Sequence, residues 1–334
     1  MPRVARSRPL PNGAALNLQL STLNFLMKLL IFDGHYYVYR SFFAIRELSN
    51  SRGEPTNAIY GFVKTVRRMV KDLSPDLAAI IWDAGIPKRR SDLQPAYKET
   101  RSEMPDLMRP QLTFIQDLAP KLGFASLFLP DTEADDLMAS YALAARDRGD
   151  EVILATNDKD LFQLVGDRVK VYSTNKTDLA NPTDTFALLG AEKVRAKWDV
   201  APNQIGDVLA LVGDSVDNIP GVPGLGPKGA AKLLADHGSL DAILADTGIV
   251  KNERIREKLI TSREQIIQNR EMVRLDLDLP LSVALDSLTI RPRHAELVAA
   301  LEHCEFKSLL AEVKADAPKP VERSTGASAQ GELF

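Results

Sequence analysis

The chain has 334 residues, of which 45% are hydrophobic and 26% charged, and its formal net charge is −3 at pH 7. This length allows one or two globular units with tails, and no apolar run approaches the roughly 20 residues that span a membrane. Cys304 is the single cysteine, so a disulfide within the chain is excluded and we expect a structural thiol in a bacterial cytoplasmic protein.

Residues 1–26 carry Arg3, Arg6 and Arg8 together with prolines and no acidic residue. An arginine-rich, acid-poor leader is also typical of a transit peptide. We favour a disordered leader or a misannotated start, with Met27 as the true initiator, because the first strand-like segment begins directly after it.

Short apolar segments along the chain predict buried strands, and acidic residues follow their ends. The segments are residues 28–32, 77–82 and 152–155. The acids that follow them are Asp33, Asp83, Asp158 and Asp160. Because open α/β sheets bind ligands at the carboxyl ends of their strands, we expect these four side chains at one edge of a sheet.

A second acidic cluster opens a predicted helix, in which Glu133, Asp135 and Asp136 precede apolar residues at helical spacing. Asp214 and Asp217 follow another apolar segment and bring the set to nine acids. Oxygen ligands in this number suit Mg²⁺ or Mn²⁺ better than zinc, and two such ions commonly assist displacement at a phosphodiester. Either cluster alone is open to a simpler interpretation as a solvated acidic turn or loop.

Taken together, these segments resemble the 5′-nuclease domain of bacterial DNA polymerase I, in the flap endonuclease and 5′–3′ exonuclease superfamily. The resemblance covers roughly residues 27–312. The segments that carry it are residues 31–35, 82–84, 132–136, 156–161 and 213–222. The resemblance implies a stand-alone α/β protein: a PIN-like three-layer nuclease core with a mainly parallel sheet, an inserted helical arch and a helix-three-turn-helix DNA-binding subdomain.

The resemblance also implies how the nine acids are used. One metal ion would be held by Asp33, Asp83, Glu133 and Asp135. The other would be held largely by Asp158, Asp160 and Asp217, with Asp136 and Asp214 nearby or acting through water. Asp33 and Asp135 are accordingly counted among the catalytic residues.

Residues 86–109 contain three prolines and several basic residues and lack a long apolar face, which predicts a long functional loop or a merely solvated one. The resemblance matches this segment to the arch that passes a 5′ single strand. Arg90, Lys98 and Arg101 then match residues that contact phosphates near the scissile bond, with Arg90 and Lys98 stabilising developing charge. Tyr97 matches an aromatic residue that can stack on a base.

A glycine-rich turn with Gly221, Gly224 and Gly226 precedes a predicted helix that carries Lys228 and Lys232. Glycine lets backbone N–H groups approach a phosphate, and a helix N-terminus attracts anions, although such a turn is often only a tight connection. The resemblance matches it to the helix-three-turn-helix, which holds duplex DNA and often a monovalent cation such as K⁺.

After a helical segment at residues 297–313, residues 315–334 are mostly small and polar, which is typical of a disordered tether. The tail resembles the short peptide that docks replication and repair proteins on the bacterial sliding clamp. Leu333 and Phe334 would fill an apolar pocket, and Gln330 would supply polar contacts. Such a tail predicts that the nuclease ends here and does not continue into a polymerase.

We therefore expect a catalytic core at 27–200, and a DNA-binding subdomain with a return strand near 272–280 and a C-terminal helix at 201–314. The predicted function is two-metal hydrolysis of DNA near 5′ ends, at flaps, nicks or gaps, by a monomer in primer removal or repair. Two alternatives stay open. A PIN-like RNase would lack the glycine-rich region, and a non-catalytic branched-DNA-binding module would gain nothing from nine acids.

Overall fold

The computed structural model describes residues 26–181 and 183–317, and a six-stranded sheet forms the core of this part of the chain. The strand order is β3-β2-β1-β4-β5-β6, and only β5 and β6 pair antiparallel. The strands are β1 (Lys28–Asp33), β2 (Leu77–Ile81), β3 (Ala125–Leu127), β4 (Glu151–Ala155), β5 (Val169–Ser173) and β6 (Ala187–Leu189). The predicted mainly parallel α/β sheet is therefore confirmed.

The sheet is covered by helices on both faces, which explains why its central strands are continuous apolar runs. Leu30 and Phe32 of β1 point into one hydrophobic cluster, whereas Leu29 and Ile31 point into the other. The first face carries α1 (Gly34–Ala44), α2 (Asn57–Leu73), α4 (Arg109–Leu118), α12 (His294–His303) and α13 (Lys307–Asp316). The second face carries α5 (Ala134–Arg148) and α6 (Ala191–Trp198). The predicted three-layer core is confirmed.

A group of helices follows the core and packs on the same side as α5. It consists of α7 (Ile205–Val212), α8 (Pro227–His237), α9 (Leu240–Ala245), α10 (Glu253–Thr261) and α11 (Arg263–Val273). A short hairpin connects α7 to α8, and its two antiparallel strands, β7 (Gly213–Asp214) and β8 (Ile219–Pro220), have two residues each. We refer to residues 213–222 as the hairpin.

The predicted return strand near Met272–Pro280 is wrong. Met272 lies in the last turn of α11, and the described residues 274–284 contain no strand. This segment crosses α5, whose side chains accept its backbone N–H groups in place of a neighbouring strand. Asp136 Oδ1 accepts from Asp276 N at 2.9 Å, and Ser140 Oγ accepts from Leu279 N at 3.1 Å.

Two other predicted helical segments are shorter than expected. Between residues 86 and 108 only α3 (Lys88–Leu93) is helical, and residues 94–101 form turns. The single predicted C-terminal helix is divided into α12 and α13 by residues 304–306. We refer to residues 88–101 as the arch segment.

The described residues include no helix that is both long and apolar enough to cross a membrane. The predictions for the leader and for the clamp-binding residues Gln330, Leu333 and Phe334 lie outside the described residues.

Candidate active site

The first group of acids lies at the carboxyl edge of the sheet, where the chain reverses its strand order between β1 and β4. Asp33 ends β1 and also caps α1, because its Oδ1 accepts from Tyr36 N at 2.9 Å. Its Oδ2 accepts from Thr156 Oγ1, just after β4, at 3.0 Å. Asp83 follows β2, and its Oδ1 accepts from Ala134 N at 3.0 Å. Asp83 therefore holds the start of α5 against the sheet edge.

Burial, together with the charges of neighbouring acids, raises the pKa values of Asp33, Asp135 and Asp160. Burial, followed by the charges of Asp83 and Asp158, raises the pKa of Asp33 from 3.8 to about 7. Burial and then the charge of Asp158 raise the pKa of Asp135 well above its usual value. Burial and the neighbouring acids raise the pKa of Asp160 as well. The edge of the sheet is therefore short of positive charge.

Glu133, by contrast, is paired with the arch segment. Lys98 Nζ lies 2.8 Å from Glu133 Oε1, and the Tyr97 hydroxyl lies 3.2 Å from Glu133 Oε2 and 3.1 Å from Asp217 Oδ2. Burial would lower the pKa of Lys98, but the charges of Glu133 and Asp217 outweigh it and raise that pKa. Lys98 also has a left-handed backbone, with φ 59°, a conformation that is uncommon for residues other than glycine.

Two further ion pairs involve the acids of the hairpin. Arg101 Nη2 lies 2.6 Å from Asp217 Oδ1, and Lys159 Nζ lies 2.8 Å from Asp214 Oδ2. Burial opposes the charged form of Arg101, but Asp217 outweighs it and raises the pKa of Arg101. With Arg90 beside Asp136, lysine or arginine side chains thus stand beside four of the nine predicted metal-site acids.

A seam of hydrogen bonds joins the arch segment to the hairpin. Asn218 Nδ2 donates to Ala96 O at 2.7 Å, and the Gln94 amide donates to Asn218 O. Lys98 N donates to Asp217 O at 3.1 Å. The arch segment is therefore folded over the acids and attached to the neighbouring subdomain.

Three predicted roles do not match this arrangement. Arg90 and Asp136 form a buried ion pair at 2.5 Å, with side chains that are 2% and 0% exposed, so neither faces the cleft. Arg90 is therefore not placed to contact a phosphate in the cleft, and both oxygens of Asp136 already accept hydrogen bonds inside the protein. Tyr97 is 7% exposed, so base stacking would require the arch segment to move.

The predicted phosphate-binding turn is present and packs tightly at its start. A Cβ atom at Gly221 would lie 2.0 Å from Val212 O, so only glycine fits there. Gly224 has a φ of 72°, and Gly226 caps α8 without a side-chain bond. Beyond this turn, Lys228 and Lys232 are exposed on α8.

The chemistry of the acids fits divalent metal ions, although they do not form a ready-made cage. In residues 26–181 and 183–317, no three His, Cys, Asp or Glu side chains are grouped closely enough to hold an ion as placed. Asp160 Oδ1 is nevertheless buried without a hydrogen-bond partner in the described structure. An orphaned carboxylate oxygen near other carboxyl groups of raised pKa, Asp158 and Asp135 among them, is a donor set that Mg²⁺ or Mn²⁺ would satisfy.

Residues 28–199 match the family described as "5′-3′ exonuclease, N-terminal resolvase-like domain", and residues 200–296 match "5′-3′ exonuclease, C-terminal SAM fold". A 5′-3′ exonuclease of Aquifex aeolicus is 37% identical over 286 residues, which make up 85% of this chain and 94% of that protein. The chain belongs to the 5′-3′ exonuclease family. The predicted family, and with it the prediction of a nuclease, is confirmed.

A thermostable DNA polymerase I of Thermus thermophilus is 39% identical over 298 residues, or 89% of this chain. The matched part is only 34% of the polymerase, so the chain spans about a third of the length of such relatives. Among solved structures, the T5 D15 protein with metal ions has a TM-score of 0.62 at 21% identity, covering 86% of this chain and 97% of that one. The catalytic core of Rad2 with a DNA substrate has a TM-score of 0.56 at 13% identity, covering 88% and 92%. These two structures share the fold.

Sequence reasoning missed three side chains that order the site. Thr156 bonds Asp33, Lys159 pairs with Asp214, and His35 Nδ1 lies 3.3 Å from Asp83 Oδ2. All three lie within residues 31–35 or 156–161, one or two positions from a predicted site acid, so their positions were a usable signal.

Proposed function

We propose that this 5′-3′ exonuclease is a structure-specific nuclease that hydrolyses DNA phosphodiesters close to 5′ ends, at flaps, nicks or gaps, in primer removal or repair. The observation that carries the proposal is the group of buried acids with raised pKa values at one sheet edge, directly beneath a basic arch segment. Acidic side chains that can hold metal ions, next to basic side chains that can contact phosphates, suit metal-assisted cleavage of a polyanion. The proposed location is the bacterial cytoplasm, and the proposed active form is a monomer.

We assign the metal-binding role to the acids that face the cleft. Asp33, Asp83, Glu133 and Asp135 would hold one Mg²⁺ or Mn²⁺ ion. Asp158, Asp160 and Asp217 would hold the second, with Asp214 beside them. When bound, these ions would supply Lewis acidity at the phosphoryl oxygens and neutralise the charge of the acids.

The arch segment would change partners when the metal ions and DNA bind. Lys98 and Arg101 now neutralise Glu133 and Asp217, and they would lose these partners once divalent ions occupy the acids. Their ammonium and guanidinium groups would then be available to phosphates near the scissile bond. Opening of the segment would also expose Tyr97 for stacking on an unpaired base.

The turn at Gly221, Gly224 and Gly226 would hold the phosphate backbone of the duplex. Backbone N–H groups at the start of α8 provide the anion site, and Lys228 and Lys232 add charge that depends on salt but not on sequence. Binding of a monovalent cation such as K⁺ at this turn is part of the proposal.

A further part of the proposal, resting on sequence alone, is that the tail binds the bacterial sliding clamp. Calorimetry with a peptide of the last 15 residues and purified clamp should show binding that Leu333→Ala and Phe334→Ala each abolish. Gln330→Ala should weaken the binding. Equal and negligible heats for all peptides would refute the docking role.

The decisive experiment is cleavage of a 5′-flap duplex labelled at its 3′ end, with Mg²⁺, Mn²⁺ or EDTA. Wild type is compared with Asp135→Ala and Lys98→Ala, and with a matched exposed control, Lys228→Ala. We expect metal-dependent cutting near the flap junction that is lost in Asp135→Ala and strongly reduced in Lys98→Ala. Lys228→Ala should mainly weaken binding, more so at higher salt.

The other functions remain outcomes of the same assay. Robust cutting in excess EDTA would contradict the metal mechanism. Tight flap binding without cleavage in either metal would favour a non-catalytic binding module. Single-stranded RNA is added to the assay as a competing substrate, and its preferential cleavage would favour the PIN-like RNase.

A further inference from the structure

The guanidinium of Arg90 is fully used inside the protein. Its Nε donates to Met272 O at 3.0 Å, and its Nη1 donates to Glu133 Oε2 at 2.6 Å and to Asp136 Oδ2 at 2.5 Å. Its Nη2 donates to Asp136 Oδ1 at 2.9 Å and to Arg274 O at 2.9 Å. A guanidinium has five N–H donors, so none is left for a ligand.

The carboxylate of Asp136 is also hydrogen-bonded inside the protein. Both of its oxygens accept from Arg90, and Oδ1 also accepts from Asp276 N at 2.9 Å. The side chain is completely buried, on the first turn of α5. Removing one partner of such a buried pair leaves an uncompensated charge, so the two residues are expected to stay together throughout turnover.

Glu133 is where this buried network meets the cleft. Its Oε2 accepts from Arg90 and from the Tyr97 hydroxyl, whereas its Oε1 contacts Lys98. Arg90 therefore fixes one carboxylate oxygen from the protein side and leaves the other beside Lys98 of the arch segment. The same guanidinium joins the arch segment, α5 and the end of α11.

We propose that Arg90 is a positioning residue, that Asp136 is its permanent counterion and not a metal ligand, and that the pair orients the Glu133 carboxylate. This inference rests on the proposed function, because it concerns the metal acids of the same site. It reassigns two residues whose types and positions suggest direct roles in binding phosphate and metal. Of the basic residues on the arch segment, Lys98 and Arg101 retain the phosphate role and Arg90 does not.

The first test counts Mn²⁺ ions bound to the full chain, using the electron paramagnetic resonance signal of unbound Mn²⁺. Wild type, Asp136→Asn and Asp135→Asn are compared without DNA. Asp136→Asn should keep the same number of sites, with affinity lowered by about tenfold, the low end of the range for a change beside a ligand. Asp135→Asn should lose a site. Loss of a site in Asp136→Asn would overturn the inference.

A double variant covers the case in which Asp136→Asn does not fold. Arg90→Met combined with Asp136→Leu removes both charges together, and replacing a buried pair by apolar residues is commonly tolerated. The double variant should keep the same number of Mn²⁺ sites, since neither residue is a ligand. Loss of a site in the folded double variant would also overturn the inference.

The second test separates positioning from phosphate contact. Arg90→Lys should lower kcat for flap cleavage by about tenfold or more with little change in KM, because only the orientation of Glu133 is disturbed. Its DNA affinity should keep the wild-type salt slope, whereas Arg101→Met should reduce that slope by about one. A reduced slope in Arg90→Lys would identify a direct phosphate contact and refute the positioning role.

Failure of the proposed function has a different signature. If wild type binds no Mn²⁺ and leaves the flap intact, the proposed function falls, and the inference with it. If wild type binds Mn²⁺ and cleaves while Asp136→Asn loses a site, only the inference falls.

Discussion

Neutralising Asp33 should stabilise the metal-free protein at alkaline pH. The folded protein keeps the Asp33 proton up to a pH of about 7, whereas the unfolded chain releases it near 3.8. Because the folded state binds more protons in this window, the stability of wild type falls as the pH rises through it. Asp33→Asn removes that loss and keeps a side-chain oxygen that can cap α1, since Asn is a good N-cap residue.

The two pKa values of Asp33, about 7 and 3.8, set the size of the effect. Linkage gives a penalty for wild type of about 2 kcal/mol at pH 5 and about 4 kcal/mol at pH 8. The stability difference between Asp33→Asn and wild type should therefore widen by about 2 to 3 kcal/mol over that range. Relief of the charge repulsion on Asp135 and Asp158 would add to it.

The assay is urea unfolding in EDTA at several pH values between 5 and 8, followed by circular dichroism. Asp246→Asn is the matched control, because it makes the same change at an exposed helix cap outside the predicted site. The Asp246 side chain accepts from Gly248 N. Its difference from wild type should not vary with pH. At pH 8, excess Mg²⁺ should stabilise wild type more than Asp33→Asn. A difference between Asp33→Asn and wild type that stays constant or shrinks as the pH rises would refute the reasoning.

Three further predictions concern packing and hydrogen bonding. Gly221→Ala should lower the free energy of unfolding in urea by about 2 kcal/mol or more, because the new Cβ would clash with the backbone oxygen of Val212. It should also weaken duplex binding, measured by fluorescence anisotropy. Gly226→Ala, whose Cβ meets nothing within 4 Å, is the control, and an equal loss there would contradict the steric argument. Tyr97→Phe should lower the free energy of unfolding of the metal-free protein by about 1 kcal/mol, while flap cleavage persists. Loss of cleavage would instead indicate that the Tyr97 hydroxyl takes part in the reaction. Burial raises the pKa of Cys304 to about 12, so iodoacetamide at pH 8 should label it only after unfolding, and rapid labelling of the native protein would contradict its burial.

The core was predictable because parallel strands covered on both faces read as continuous apolar runs, and the acids directly after them mark the binding edge. The start of α5 could be read in the same way, from acids followed by apolar residues at helical spacing. The pairing of Arg90 with Asp136 could not. The two residues are 46 positions apart, and only the fold brings the arch segment against α5.

The prediction of a return strand near residues 272–280 was wrong for a related reason. A strand prediction assumes that backbone groups pair with a neighbouring strand, whereas here Asp136 and Ser140 of α5 accept the N–H groups of residues 276 and 279. Nothing in the local sequence of either segment reveals that partnership. The position of the arch segment was unpredictable as well, because its turns are bonded to the hairpin, which lies more than 100 residues away in the sequence.

The seam between the arch segment and the hairpin would couple the two proposed binding events, that of the metal ions and that of duplex DNA. Asp217 serves both, since its carboxylate pairs with Arg101 while its carbonyl oxygen accepts from Lys98 N. A metal ion that draws the Asp217 carboxylate away, as proposed above, would also loosen the attachment of the arch segment. Linkage then requires that duplex DNA, if it loosens the same seam from the hairpin side, strengthens metal binding by the factor with which the metal strengthens duplex binding. Substrate recognition and loading of the catalytic ions would be one cooperative transition.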